Sequence, residues 1–245
     1  MQAFILAGGL ATRMRPRTLT IAKAMLEVAG RPFIDWQLEA LARAGYDEVV
    51  LCIAFLGEQI EEHVGDGARF GLLVRYSNEG PTLLGTAGAL RVALPFMAPS
   101  FLVTYGDSYL PFDYAEPLRV LRAHDDCDGV MSVYPNAGQW DASNVKTDGL
   151  RVLAYEKGTK DPAFDHIDYG ALALRRELVA ALSLGERHGL EALQARVARE
   201  GRMRAVVAKE RFYEIGSPAG LAETELYLQN RQYPANEPAA SKANP

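Results

Sequence analysis

Gly8 and Gly9 stand directly after a short apolar run, in the stretch ILAGGLATRMRP (residues 5–16), with Thr12, Arg13 and Arg15 along the exit. Glycines at such a corner let backbone amides come close to a bulky ligand, because no Cβ intervenes. Arginines beside those amides suit phosphate: a nest of N–H groups holds an anion, and a planar guanidinium fork meets two oxygens at once. Asn78-Glu79 and Gly106-Asp107 also close strand-like runs, and Lys23 follows a stretch without periodicity. The same residues would serve a tight turn with solvated arginines, so the glycine corner alone leaves both readings open. Two familiar phosphate signatures are missing: there is no G-x-x-x-x-G-K-[ST], and AGGLAT lacks the G-x-G-x-x-G spacing.

Chemistry of this kind needs elements that bring strand ends together. Apolar runs alternate with helical patterns along most of the chain. Residues 3–7 read as a buried strand. RPFIDWQLEALARAG repeats apolar residues at Ile34, Leu38 and Leu41 behind Pro32 and stops at Gly45, which predicts a helix with Trp36 and Leu38 in the core. Strands follow at DEVVLCIAF, LLVRYSN, FLVTYGD and GVMSVYP, separated by helices at GEQIEEHVGDG, GTAGALRVALPFM and AEPLRVLRAHD. This βαβα rhythm predicts a mostly parallel sheet covered on both faces, with ligands beyond the carboxyl ends of its strands. The glycine corner, Asn78-Glu79 and Gly106-Asp107 all fall at such ends. Beyond about residue 135 the rhythm changes to a hairpin turning at Asp148-Gly149, a strand-to-helix step at IDYGALALRREL and a helix over 188–201. MRAVVAKERFYEIG then reads as a late strand, and 217–230 as a closing helix capped by Ser217.

Bulk properties narrow the field. The 245 residues are 49% hydrophobic and 23% charged with net charge −5, an ordinary globular profile that excludes a broad basic nucleic-acid surface. Any anion site must be local. No apolar run approaches the roughly 18 residues of a membrane-spanning helix, and the first residues lack the pattern of a secretory signal. Cys52 and Cys127 form no metal spacing or disulfide framework, so both are expected to be passive in a reducing cytoplasm.

Six pieces in order, LAGGLATRMRP, Lys23 in TIAKAMLEVAGRP, LLGTAGAL, YGD, YEKG and YEIGSP, resemble the sugar-1-phosphate nucleotidyltransferases over roughly residues 1–230. The resemblance implies an α/β fold, a Rossmann-like α/β/α sandwich with a mostly parallel mixed central sheet of the nucleotide-diphospho-sugar transferase type. It implies one catalytic domain over 1–230, with a nucleotide-binding half at 1–135 and a sugar-binding half at 136–230. The Pro- and Ala-rich residues 231–245 are expected to form a mobile tail. The implied substrates are an NTP and a sugar 1-phosphate, with Mg²⁺ as cofactor.

By this resemblance Leu6, Ala7, Gly8, Gly9, Ala11 and Thr12 would cradle the nucleotide, and Arg13 and Lys23 would stabilise the leaving pyrophosphate. Glu79, Gly85, Thr86, Ala87 and Gly88 would admit and read a flat base, with Gly106 permitting close approach of the nucleotide beside Asp107; Gly85-Thr86 reads equally as a helix-capping corner. Lys157 in YEKG would meet the sugar phosphate, with Glu156, Asn144, Tyr169 and Gly170 around the sugar, and Asp107 with Glu214 would hold the metal. Within the family, GRPFIDWQLEALARAG, HVGDGARFGLLVRYS and LLGTAGAL look most like the heptose-1-phosphate guanylyltransferase branch, which favours GTP. UTP or CTP, a uridylyltransferase for N-acetylmuramic acid or glucose 1-phosphate, and a silent nucleotide-sugar-binding module stay open. Four departures matter. Glu214 stands where the family has Asp or Asn and is one methylene longer. Ala11 stands where the family has glycine and must avoid a left-handed conformation or cost about 1 kcal/mol. Ala22 and Ala24 stand where it has prolines, which should loosen the loop carrying Lys23.

Overall fold

The computed structural model describes residues 1–136, 138–140 and 142–232. In chain order the elements are β1 (Gln2–Leu6), β2 (Glu27–Val28), β3 (Arg31–Pro32), α1 (Phe33–Arg43), β4 (Glu48–Ile53), α2 (Gly57–Val64), β5 (Leu73–Asn78) and α3 (Gly85–Val92). Then come β6 (Ser100–Tyr105), β7 (Ser108–Tyr109), α4 (Glu116–Ala123), β8 (Gly129–Pro135), β9 (Val145–Thr147), β10 (Val152–Tyr155) and β11 (His166–Arg175). The chain closes with α5 (Arg176–Ala180), α6 (Leu190–Arg199), β12 (Met203–Val207), β13 (Tyr213–Glu214) and α7 (Pro218–Gln232). The expected mobile tail lies outside the described residues from 233 onward, while α7 runs two residues past its expected end.

A nine-stranded sheet runs β10-β9-β11-β6-β1-β4-β5, with β8 also on β11 and β12 on β8. The first half is parallel, as the alternating rhythm required: β1 pairs with β4 and β6, and β4 with β5. The second half is mixed, because β11 returns antiparallel to β6 and β8. Side chains alternate between two cores. Ala3, Ile5, Val49, Leu51 and Ile53 pack with α1, α2 and α4 on one face. Phe4, Val50, Phe101 and Val103 pack with α3, α5 and α6 on the other. Phe4 and Phe101 meet edge to face at 4.9 Å across this second core. Trp36 and Leu38 are buried as expected, the indole donating to the Val28 carbonyl at 2.9 Å. Among the described residues no helix is long and apolar enough to cross a membrane.

The late strand is two. β12 extends the main sheet beside β8, whereas β13 leaves it and pairs antiparallel with β7, Glu214 opposite Ser108. The ladder ends where the Ala208 amide donates to the Val133 carbonyl, and the chain then swings across to the strand end that carries Asp107. An uninterrupted strand would have left Glu214 far from that aspartate.

The loop before Lys23 is held firmly rather than loosened. Gln59 on α2 accepts the Ala22 amide at 2.9 Å through its Oε1 and donates from Nε2 to the Thr20 carbonyl at 2.8 Å. Ala22 has φ −58°, which a proline could adopt, but a proline would supply no N–H to Gln59. Ala22 and Ala24 are themselves buried. A side-chain amide thus takes over the restraint expected of two prolines. Gln59→Ala should therefore lower the unfolding free energy by about 1–2 kcal/mol, read from the urea midpoint at unchanged slope. A wild-type midpoint would show that the clamp contributes nothing.

Candidate active site

The carboxyl ends of β1, β4 and β6 are drawn together by backbone bonds. The Ala7 amide donates to the Cys52 carbonyl at 2.8 Å and the Gly106 amide to the Leu6 carbonyl at 2.9 Å. Beyond them opens a cleft of about 250 Å³ lined by Leu6, Ala7, Gly8, Gly9, Ala11 and Gly106, with Lys23, Glu79, Gly85, Thr86, Tyr105 and Asp107. Two of its glycines leave little room for a side chain. A Cβ on Gly8 would sit 3.1 Å from the Ala54 Cβ and 3.2 Å from Glu79 Oε1; one on Gly106 would sit 2.9 Å from the Leu6 carbonyl oxygen. Gly9 faces open space, leaving its backbone bare toward the cleft. Ala11 does take the left-handed conformation it should avoid, at φ 46° and ψ 45°, at a cost of about 1–2 kcal/mol. The Thr18 hydroxyl holds it there by donating to its carbonyl at 2.8 Å. Thr12 and Arg13 follow in a short 3₁₀ turn, both exposed.

Glu79 closes the cleft's other wall. Its Oε2 accepts the Leu84 amide at 2.7 Å, and burial pushes its carboxyl pKa above the ordinary range. Gly85 and Thr86 reach the lining, yet this segment also does the structural work its capping pattern suggested. A Cβ on Gly85, which has φ +77°, would lie 2.6 Å from the His188 carbonyl oxygen, and the Thr86 hydroxyl accepts the Leu190 amide at 2.8 Å, capping α6. Ala87 does not face the cleft. It is fully buried in the second core and donates its amide to the His188 carbonyl at 3.0 Å, since helical spacing turns it toward the sheet.

The charged candidates gather at one end of this cleft. Lys23 forms an ion pair with Asp107, whose other oxygen faces the Ser108 hydroxyl at 3.3 Å. The β7–β13 pairing and the Ile215 amide, donating to the Asp107 carbonyl at 2.9 Å, hold Glu214 alongside. Gly216 lies at the centre: a Cβ there would stand 3.0 Å from Arg13 Nη2, 3.4 Å from Lys23 Nζ and 3.5 Å from Glu214 Cδ. Arg13 and Glu214 also line an adjoining cavity of about 350 Å³. Asp107 and Glu214 offer the hard oxygens that Mg²⁺ prefers. Among the described residues no three His, Cys, Asp or Glu side chains cluster.

On the sugar side, Asn144 accepts the Asp168 amide through its Oδ1 at 2.8 Å, and the Glu156 amide donates to the Asn144 carbonyl at 2.9 Å. Glu156 and Lys157 are exposed at the end of β10, outside the main cleft's lining. Gly170 bends β11 at φ +96°, 3.5 Å from Tyr105 when a Cβ is placed on it. Tyr169 is a correction. Only 1% exposed, its ring lies in the first core with Phe112 at 5.2 Å, Phe212 at 6.1 Å and Tyr134 at 6.2 Å. Its neighbour Asp168 points the other way, as alternation along a strand demands. Tyr105 in the cleft lining and Gly216 at the charged cluster were not singled out from the sequence, nor was the Asp168–Gln194 pair beside Gly170. Alternation around Tyr169 would have pointed to Asp168, and YEIGSP already contained Gly216; no local pattern marked Gln194.

The nucleotidyl transferase family model matches residues 2–230. The chain belongs to the nucleotidyl transferase family. It is 45% identical over 115 residues to the N-acetylmuramate alpha-1-phosphate uridylyltransferase of Neisseria meningitidis, a match covering 46% of this chain and 50% of that protein. The chain thus spans about half the length of that relative. It is 28% identical to the D-glycero-alpha-D-manno-heptose 1-phosphate guanylyltransferase of Campylobacter jejuni, over 89% of this chain and 96% of that one. Among solved structures, HddC of Yersinia pseudotuberculosis superposes with TM-score 0.75 over 93% of this chain and 99% of its own, at 24% identity, and shares the fold.

Gly216 supplies a test of the family member's charged cluster that leaves its charges in place. The atoms a methyl would meet are the ends of flexible side chains, and the backbone there is not left-handed. Gly216→Ala should therefore melt like the wild type, within about 0.5 kcal/mol, while kcat falls at least about 10-fold as the cluster is displaced. An unchanged kcat would remove this cluster from the reaction.

Proposed function

We propose that the protein transfers a nucleotidyl group from an NTP to a sugar 1-phosphate, releasing pyrophosphate and forming an NDP-sugar, in a Mg²⁺-dependent reaction. The observation that carries this reading is the convergence of Arg13, Lys23 and Glu214 on Gly216, with Asp107 paired to Lys23, beside a glycine-walled cleft at the strand ends. Two cations and two carboxylates at one point suit a reaction in which two phosphate groups must approach.

A phosphate oxygen of the sugar attacks the α-phosphorus, the bond to the bridging oxygen of the β-phosphate breaks, and the pair of electrons leaves with pyrophosphate. Such a step draws its rate from positioning and charge neutralisation. The bare backbone of Gly8 and Gly9 lets the phosphates lie against amides, and Glu79, Gly85 and Thr86 bound the space for the base. Arg13 and Lys23 gain most as charge builds on the departing pyrophosphate. Lys23 must exchange Asp107 for phosphate, so nucleotide binding frees the carboxylate it had occupied. Asp107 and Glu214 would hold Mg²⁺, which would supply charge neutralisation between the two phosphates. Lys157, at the mouth of the sugar half, is the cation for the sugar phosphate.

GTP and a heptose-type sugar are the favoured substrates. The Campylobacter relative, named for that activity, aligns over nearly all of both chains, and the Yersinia protein has been solved with GMP-PN. The 45% identity to the Neisseria uridylyltransferase supports UTP and N-acetylmuramic acid 1-phosphate as the second reading. Pyrophosphate release across a panel of GTP, UTP, CTP and dTTP with several sugar 1-phosphates decides between them. Asp107→Asn should abolish turnover while leaving the melting temperature nearly unchanged, and Lys23→Ala should lower kcat by about 10²–10³-fold. Activity that survives EDTA, or an Asp107→Asn enzyme that turns over normally, would overturn the metal assignment.

A further inference from the structure

Asp168 is a half-buried carboxylate that the proposed mechanism does not use, and its surroundings are elaborate for a bystander. Gly170 bends β11 so that its amide donates to Asp168 Oδ1 at 3.0 Å, while the Asp168 amide donates to Asn144 Oδ1. On the far side Gln194, only 1% exposed on α6, donates from Nε2 to Asp168 Oδ2 at 2.8 Å. Donation from Nε2 turns the Gln194 Oε1 away from Asp168. The Gln194 Oε1 is buried with no hydrogen-bond partner among the described residues. Burying an amide half-satisfied is costly, and what it achieves here is to aim one carboxylate.

We propose that the Asp168–Gln194 pair determines sugar specificity, admitting a sugar 1-phosphate whose ring is neutral or carries an amine and rejecting one whose ring bears a carboxylate. This inference rests on the transferase reading above and sharpens its sugar half. Three observations place the pair at the sugar rather than in the general surface. Asn144, which binds the Asp168 backbone, is itself joined to the strand end carrying Glu156 and Lys157. Tyr105 lines the nucleotide cleft beside Asp107 and lies against Gly170. Tyr105 and Tyr155 both feel the negative charges of Asp168 and Glu191, and desolvation with those charges pushes both phenols well above their ordinary pKa.

The charge balance gives the direction of selectivity. Burial raises the Asp168 pKa, and the hydrogen bonds from Gln194 and Gly170, with the charge of Lys157 as a smaller contribution, oppose it. In the ternary complex the sugar phosphate claims Lys157. Asp168 then meets the ring with the Lys157 charge engaged elsewhere, and both its oxygens keep lone pairs for hydroxyl or ammonium donors. A ring carboxylate would meet like charge in a partly desolvated site, a device that rejects a wrong substrate more strongly than it attracts the right one.

The test compares kcat/KM for glucose 1-phosphate, glucosamine 1-phosphate, glucuronic acid 1-phosphate and N-acetylmuramic acid 1-phosphate, each with the best NTP. The wild type should prefer the first two over the last two by at least about 100-fold. Asp168→Asn should shrink that ratio at least about 10-fold with the NTP KM unchanged, and Gln194→Met should raise the KM for the neutral sugars alone. The wild-type comparison stands even if a variant folds poorly, and thermal melting identifies such a variant. Equal use of acidic and neutral sugars, or a ratio unmoved in a folded Asp168→Asn enzyme, overturns this inference while the transferase reading survives. Pyrophosphate release with none of these sugars and none with a heptose 1-phosphate overturns both.

Discussion

Backbone pressed against backbone at the ends of β1 and β6 is the constraint on which the rest of the site depends. The Gly106 amide reaches the Leu6 carbonyl only because residue 106 has no side chain to keep the strands apart. That contact places Asp107 at the floor of the cleft and the glycine turn at its rim. Gly8 answers the same demand on the other side, fitting between Ala54 and Glu79. A parallel sheet supplies such crevices outside its carboxyl edges by topology, and here two glycines let three strands close one tightly enough to bring amides and charges together.

The charges that meet there are balanced before any ligand arrives. Lys23 lies against Asp107, with Arg13 and Glu214 close to the same point. Paired in this way, they avoid the penalty of isolated partly buried ions. Highly charged substrates can then replace protein partners with their own. The clamp of Gln59 on the loop before Lys23 fits the proposed exchange of partners, because a rigid base would let the lysine tip move through a defined arc.

The parallel half was legible because its signals are local. Strand ends, glycine corners and the helix from 33 to 43 follow from apolar periodicity and turn residues, and Asp107 was visible as a carboxylate after a glycine at a strand's close. The sugar half was harder. Tyr169 drew attention as an aromatic, yet one step of strand alternation buries it among Phe112, Tyr134 and Phe212 and presents Asp168 instead. The small residues of GTAG suggested room for a flat base. Part of that room is filled by the chain at His188, for which Gly85 leaves space and to whose carbonyl the Ala87 amide donates.

By itself the sequence determined the alternating elements, the two-faced sheet, the phosphate-seeking corner and the family. Each of these is written in residues close together along the chain, where periodicity and steric limits act directly. Only the tertiary structure decided that the run MRAVVAKERFYEIG divides between two sheets, that Gln194 from a distant helix aims Asp168, and that Ala11 is held left-handed by Thr18. Those outcomes depend on which groups meet across long stretches of chain, where packing and hydrogen bonding override local preference.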